Sequence, residues 1–325
     1  MKRFYYNTLK ERSARSLSDA TYSPKKLVAI SAGIPLALSL VTMVVDWLLA
    51  QQIGTTGGLE GMDRRALLST IQSVLQFAQL AVLPFWSIGY TFAMLSVARG
   101  EDASPGSLLQ GFRKWGPVLR LTMLQSTMIL ALGFASAQIG TVLFVLTPWA
   151  APLMETVLQL SVSGANPTDP AVMEQMMEAM LSTSAVPLLV CVLIAFLVLY
   201  LLTVYRFRLA ELCLMEDPSL GAMKALFLSA RRMKGSFWAM IRLDLRLWWY
   251  HILTLVTLLI VYGDLLLGAF GIALPMSAEF GALLFAALGA VSQFALCWWR
   301  QNEVTQIYTH AFLMLARSVP SHRPY

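Results

Sequence analysis

From Ala66 to Ala98 the chain carries no Asp, Glu, Lys or Arg, and five other stretches come close to that condition. They run from Leu27 to about Ala50, Leu121 to Thr147, Ser184 to Tyr205, Leu247 to Phe270 and Phe280 to Trp299, with only Asp46 and Asp264 interrupting. A bilayer core of about 30 Å needs roughly 20 apolar residues in a helix. Backbone amides in hydrocarbon must be paired within their own segment, so such runs are helices. They are continuous, not alternating, which excludes a transmembrane barrel. The expected fold class is therefore all-α: a polytopic membrane protein with six transmembrane helices.

Composition narrows the function classes. Hydrophobic residues make up 57% of the 325 and charged residues 13%, against roughly 45–50% and 25% in soluble domains. A soluble enzyme, a disordered chain, a collagen-like fibre and a disulfide-rich secreted module are excluded. The net charge of +6 has no soluble basic domain to sit on, so nucleic acid is not expected as a partner. Cys191, Cys213 and Cys297 lie in or beside apolar runs, at spacings that suit neither a metal nor a disulfide framework.

Orientation follows from the basic residues. With the N-terminal side taken as inside, the inner segments hold 22 of the 24 Lys and Arg, leaving Arg64 and Arg65 outside. Both termini are expected to be cytoplasmic, in the plasma membrane of a bacterium. The first apolar run exceeds a signal-peptide core and no cleavage site follows it, so no leader is expected to be removed. The division expected is a basic cytoplasmic segment over 1–26, one six-helix domain over 27–317 with an outer loop at about 148–183, and a cytoplasmic tail over 318–325.

The inner connections have their own pattern. Ser104-Pro105 and Asp217-Pro218 are the usual entry to a helix, and Gly116 and Gly235 stand where each helix would stop. Between them, Leu108, Leu109, Phe112 and Trp115 form one apolar stripe, and Leu220, Met223, Phe227, Ala230 and Met233 another. Val304, Ile307, Tyr308, Ala311, Phe312 and Leu315 form a third. Each hairpin of two spans is thus expected to be followed by an amphipathic helix at the cytoplasmic face, giving three tandem units.

Ser229, Met233-Lys234-Gly235, Trp238 and Leu243-Asp244-Leu245 resemble the signature of an uncharacterised integral-membrane family common in Firmicutes, catalogued as a domain of unknown function. Asp217-Pro218, Gly221 to Leu226 and the N-terminal Leu9 to Ala14 resemble the same family. Where its members often continue Ser-Phe-x-x-Trp after Leu245, this chain has Arg246-Leu247-Trp248-Trp249. The family is similar to the membrane part of some glycerophosphodiester phosphodiesterases and to YciC-like inner-membrane proteins. The resemblance implies a six-helix fold and brings no activity with it.

No catalytic motif is present: the chain has three histidines, His251, His310 and His322, and lacks a metalloprotease, nucleophile-elbow or P-loop pattern. Tyr262-Gly263-Asp264 faintly echoes an intramembrane aspartyl protease with Asp46 as its partner, but carboxylates at the outer ends of spans are better read as interfacial anchors. Met173, Met176, Met177 and Met180 recur at helical spacing in the outer loop. Thioethers bind Cu(I), yet the same spacing is that of a helix resting on a membrane or partner, and no metal or other cofactor is expected. The candidate site lies inside: Arg206, Arg208, Arg242, Asp244 and Arg246, where guanidinium groups suit an anionic ligand or lipid headgroup. Arg242 and Arg246 share a helix face, with Asp244 roughly opposite.

The leading expectation is a non-enzymatic membrane protein that organises or assists other membrane components, with lipids and a membrane-protein partner around it. The alternative is a transporter of a lipid or small amphiphile. That reading requires polar residues along a path, and Gln72, Gln76, Gln79, Gln125, Ser126 and Gln138 are the candidates.

Overall fold

The computed structural model describes residues 5–55, 59–162, 185–217, 219–263, 267 and 278–317. The described residues are helical and turn structure without strands. Four helical stretches are long and apolar enough to cross a membrane: Pro24–Leu49, Ala66–Arg99, Trp115–Val145 and Phe280–Ala316. Two bent pairs raise the number to six if each is one span. Val186–Leu202 with Val204–Glu216 bends by 43°, and Phe237–Arg246 with Trp248–Val261 by 64°.

The chain divides into two compact units, Met1–Leu121 with Leu209–Tyr325, and Thr122–Arg208. The first unit contains α1 (Tyr6–Ser18), α2 (Pro24–Thr55), α3 (Leu59–Arg99) and α4 (Gln110–Arg113). A long helix, α5 (Trp115–Val145), leads out of it, and α6 (Ala151–Val162) and α7 (Ala185–Leu202) belong to the second unit. The chain returns to the first unit with α8 (Ala210–Glu216), α9 (Ala222–Met233), α10 (Phe237–Arg246) and α11 (Trp248–Val261). It ends with α12 (Ala278–Leu296) and α13 (Asn302–Ala316).

In the first unit α2 packs along α3, α11 along α12, and α12 against α2. Leu27, Val28, Trp86, Tyr90, Met94 and Leu108 belong to its apolar core. Small residues allow the closest approaches. A Cβ on Gly89 would stand 1.8 Å from the Leu108 carbonyl oxygen, and one on Gly111 2.0 Å from that of Phe85. The connector over 105–113 therefore lies directly on the backbone of α3. In the second unit Gly140 of α5 plays the same part, with its absent Cβ 2.5 Å from Val192 Cα. Close backbone contact at small residues is the usual way apolar helices gain packing energy in a membrane, where burial alone supplies no drive.

Two local expectations turn out differently. Ser104-Pro105 does open a helical turn, a 3-10 segment over Pro105–Leu109 in which the Ser104 N–H donates to Ser107 Oγ at 3.2 Å. Gly116, however, ends nothing. It is the second residue of α5, with Pro117 in the first turn, where a missing N–H costs no hydrogen bond. Asp217 does not cap α9 either. Its Oδ1 accepts from the Ser219 N–H (3.0 Å) and hydroxyl (2.6 Å), closing a turn, and α9 starts later, after Gly221. Pro218 lies outside the described residues. Gly235 behaves as expected, at φ +82° just beyond the end of α9.

The third apolar stripe is not a separate surface helix. α12 passes into α13 through a π-helical turn at Cys297–Gln301, making one continuous element. Its 37 residues reach ~55 Å, well beyond the hydrocarbon thickness. The far end of α13 is packed against α1 and α3, with Val304, Ile307, Ala311, Phe312 and Leu315 buried. The N-terminal basic segment is part of that packing, for α1 buries Leu9 and Ser13.

Candidate functional site

Two prolines sit inside the first pair of long helices, Pro35 in α2 and Pro84 in α3. Pro35 has no N–H to give to the carbonyl four residues earlier, that of Ser31. The Trp86 indole supplies the missing donor: its Nε1–H bonds the Ser31 carbonyl at 3.0 Å, buried. Beside this bond opens a crevice of about 320 Å³ between α2, α3 and α12, at the lower end of the roughly 300–1,000 Å³ of ligand pockets. Ser31, Ser39, Ser87, Tyr90, Gln293 and Gln301 give its polar lining, set among Pro35, Leu36, Leu83 and Phe294.

The polar lining continues along the α2–α3 contact. Gln79 Nε2 donates to Thr42 Oγ1 at 2.8 Å, and Gln72 Nε2 to Asp46 Oδ1 at 2.7 Å. Ser31, Ser39, Thr42 and Asp46 thus share one face of α2, and Gln72, Gln79 and Ser87 the facing side of α3. On the wall formed by α12, Thr257 Oγ1 of α11 donates to Gln293 Oε1 at 2.5 Å. Tyr90 donates to Asn302 Oδ1 at 3.0 Å. Two of the polar candidates named from sequence, Gln72 and Gln79, lie on this track. Gln76 and the second-unit residues Ser126 and Gln138 are exposed, and Gln125 is half-buried.

The expected basic cluster divides between the two units. Arg206 and Arg208 belong to the second, where the Arg208 guanidinium lies over the Tyr205 ring at 5.6 Å. Arg242, Asp244 and Arg246 belong to α10 in the first. Arg242 and Arg246 are exposed, and Arg246 lies 5.6 Å over the Tyr6 ring of α1. Asp244 faces the other way, as its position two residues from each arginine dictates. Its Oδ1 accepts the Tyr308 hydroxyl at 2.5 Å, and His251 Nε2 stands 3.4 Å from that hydroxyl. Sequence reasoning placed Tyr308 on an apolar stripe and missed its bond to Asp244; His251 carried no signal at all. Tyr308→Phe is expected to cost about 1.5–3 kcal/mol, the range for a hydrogen bond to a charged group. Graded unfolding in detergent against the parent would measure it, and an unchanged midpoint would remove Tyr308 as the anchor of Asp244.

The signature block builds a joint between α8 and α9. Ser229 Oγ accepts the Leu209 N–H at 3.1 Å, satisfying a donor at the start of α8 that no helical carbonyl can reach. One turn on, Arg232 is wholly buried. Its Nη1 donates to Glu216 at 2.5 Å and to Cys213 Sγ at 3.5 Å, and its guanidinium lies 5.0 Å from the Phe312 ring centroid. Of the stripe expected for α9, Met223 and Phe227 are exposed and Met233 is buried, with Arg232 buried beside it.

Among the described residues no group of three or more His, Cys, Asp or Glu could hold a metal ion. The methionines at 173, 176, 177 and 180, and Asp264, lie outside the described residues. Neither a curated protein nor a solved structure matches the chain. The family model described as "Protein of unknown function (DUF975)" matches residues 28–274, the stretch that runs from α2 through the signature block and stops short of α12. On that match, covering most of its length, the chain belongs to the DUF975 family.

Proposed function

We propose that the protein is a non-enzymatic membrane protein that takes up a lipid or small amphiphile in the crevice between α2, α3 and α12. The observation that carries the reading is the crevice itself. Serine hydroxyls and glutamine amides gather beside an apolar wall, inside segments whose hydropathy otherwise excludes polar groups. Polar side chains in hydrocarbon are costly and mark pathways or binding sites. The mix of a polar track and an apolar wall matches a molecule with both characters, and the Gln72–Asp46 and Gln79–Thr42 pairs extend the track away from the crevice. In this reading six spans in three hairpins cross the cytoplasmic membrane of a bacterium with both termini inside, and amphipathic segments lie along the inner face. An organising role beside a membrane-protein partner, the first expectation from sequence, is compatible with this uptake and rests on the missing catalytic motifs alone.

Replacing Ser87 and Ser39 by Phe would fill the crevice. The Ser39→Phe, Ser87→Phe protein, purified in mild detergent and compared with the parent by lipid mass spectrometry, is expected to lose a co-purifying amphiphile. Its unfolding temperature should stay close to the parent's. An identical lipid inventory in the two proteins would defeat the proposal.

A further inference from the structure

A second cavity, of about 300 Å³, opens between α1, α3 and α13. Its lining is Arg12 of α1, Ala98 of α3, His310, Leu313 and Met314 of α13, and Arg317 just after it. Two guanidinium groups and an imidazole therefore border one small space, and among the described residues no carboxylate lines it. His310 is buried, at 8% exposure, while Arg12 and Arg317 are exposed. Ser16 holds the ring in place. Its hydroxyl donates to the Arg12 carbonyl at 3.0 Å and lies 2.9 Å from His310 Nε2.

We propose that Arg12 and Arg317, on either side of the neutral His310 ring, form a receptor for a phosphate group, carried by a lipid headgroup or by a soluble phosphate. Guanidinium forks offer paired N–H donors to tetrahedral oxyanions, and arginine is the preferred residue for this geometry. Two positive charges facing a cavity whose described lining holds no carboxylate leave a field that an anion would neutralise. The cavity is larger than one phosphate, leaving room for a glycerol or similar substituent against Leu313 and Met314. Both arginines and the histidine fall outside the matched residues 28–274, and none of them lines the α2–α3–α12 crevice.

The test uses the full-length protein in nanodiscs of phosphatidylcholine. Inorganic phosphate is titrated in one arm; phosphatidic acid replaces part of the phosphatidylcholine in a second; chloride at matched ionic strength is the control. The readout is the unfolding temperature, with bound phosphate counted by phosphorus analysis. Both ligands stabilising the parent would establish the receptor. Stabilisation by phosphatidic acid alone would assign it to headgroups, and by inorganic phosphate alone to a soluble ligand. Arg12→Gln and Arg317→Gln should each weaken binding about tenfold. Arg15→Gln, exposed on the same helix but away from the cavity, should not. Equal losses from Arg15→Gln would reduce the effect to general surface charge and overturn the proposal, as would no response of the parent to either ligand.

Discussion

Glu216→Gln is expected to lower the unfolding free energy by about 3–5 kcal/mol, the cost of leaving one member of a buried ion pair without the other. Arg232 is fully enclosed, its side chain at 0% exposure, and Glu216 holds only 19%. Glu216→Gln removes the carboxylate that Arg232 Nη1 meets at 2.5 Å and leaves the Cys213 sulfur and the Phe312 ring beside the guanidinium. Arg232→Met together with Glu216→Leu should recover much of the loss, since replacing a buried pair by apolar residues is often close to neutral. The measurement is graded denaturant unfolding in detergent of the three proteins. A Glu216→Gln protein within about 1 kcal/mol of the parent would mean that the pair behaves like a surface one. The joint between α8 and α9 would then have to rest on Ser229 and the apolar contacts.

Gly89→Ala should be nearly as damaging, at about 3 kcal/mol, the upper end of the usual cost of overpacking. The new methyl group would meet the Leu108 carbonyl oxygen at 1.8 Å, and a backbone atom has no rotamer by which to retreat. Either α3 or the 105–113 connector must shift, and Gly111 faces Phe85 across the same contact, so the shift cannot be local. Gly133→Ala is the internal control. It lies in the middle of α5 with nothing within 4 Å of the added atom, and should stabilise by about 0.5–1 kcal/mol through helix propensity. Opposite signs at two helical glycines would establish that Gly89 is required by close approach; equal small effects would show that the connector moves freely.

Much of the architecture was legible from the chain alone because the bilayer imposes a rule on sequence. Uncharged runs of sufficient length must be helical, and the described residues are helices at those places. The Pro84 interruption did not break its helix, as expected when neighbouring groups can complete the pairing. Boundaries were less legible. Gly116 and Asp217 carry the local chemistry of helix ends, but Pro117 starts α5 and Ser219 engages the aspartate, and neither competition can be ranked from spacing. Arg232 marks the same limit at the site. Nothing in the sequence sets it apart from the other basic residues of its segment, and only the return of α8 against α9 reveals that it is enclosed.

Sequence by itself determined the helical class and the presence of several runs apolar enough to span a membrane, because these follow from transfer free energies residue by residue. Tertiary structure alone decided which polar groups meet. Ser31 and Trp86 are 55 residues apart, Asp244 and Tyr308 64, and Ser16 and His310 294. A hydrogen bond or cavity between such partners depends on helix crossing and rotation, which small residues such as Gly89 and Gly111 set through backbone contact. No periodic pattern along the chain encodes those angles, so the crevice, the Asp244 anchor and the Arg12–Arg317 cavity became visible only in the packed molecule.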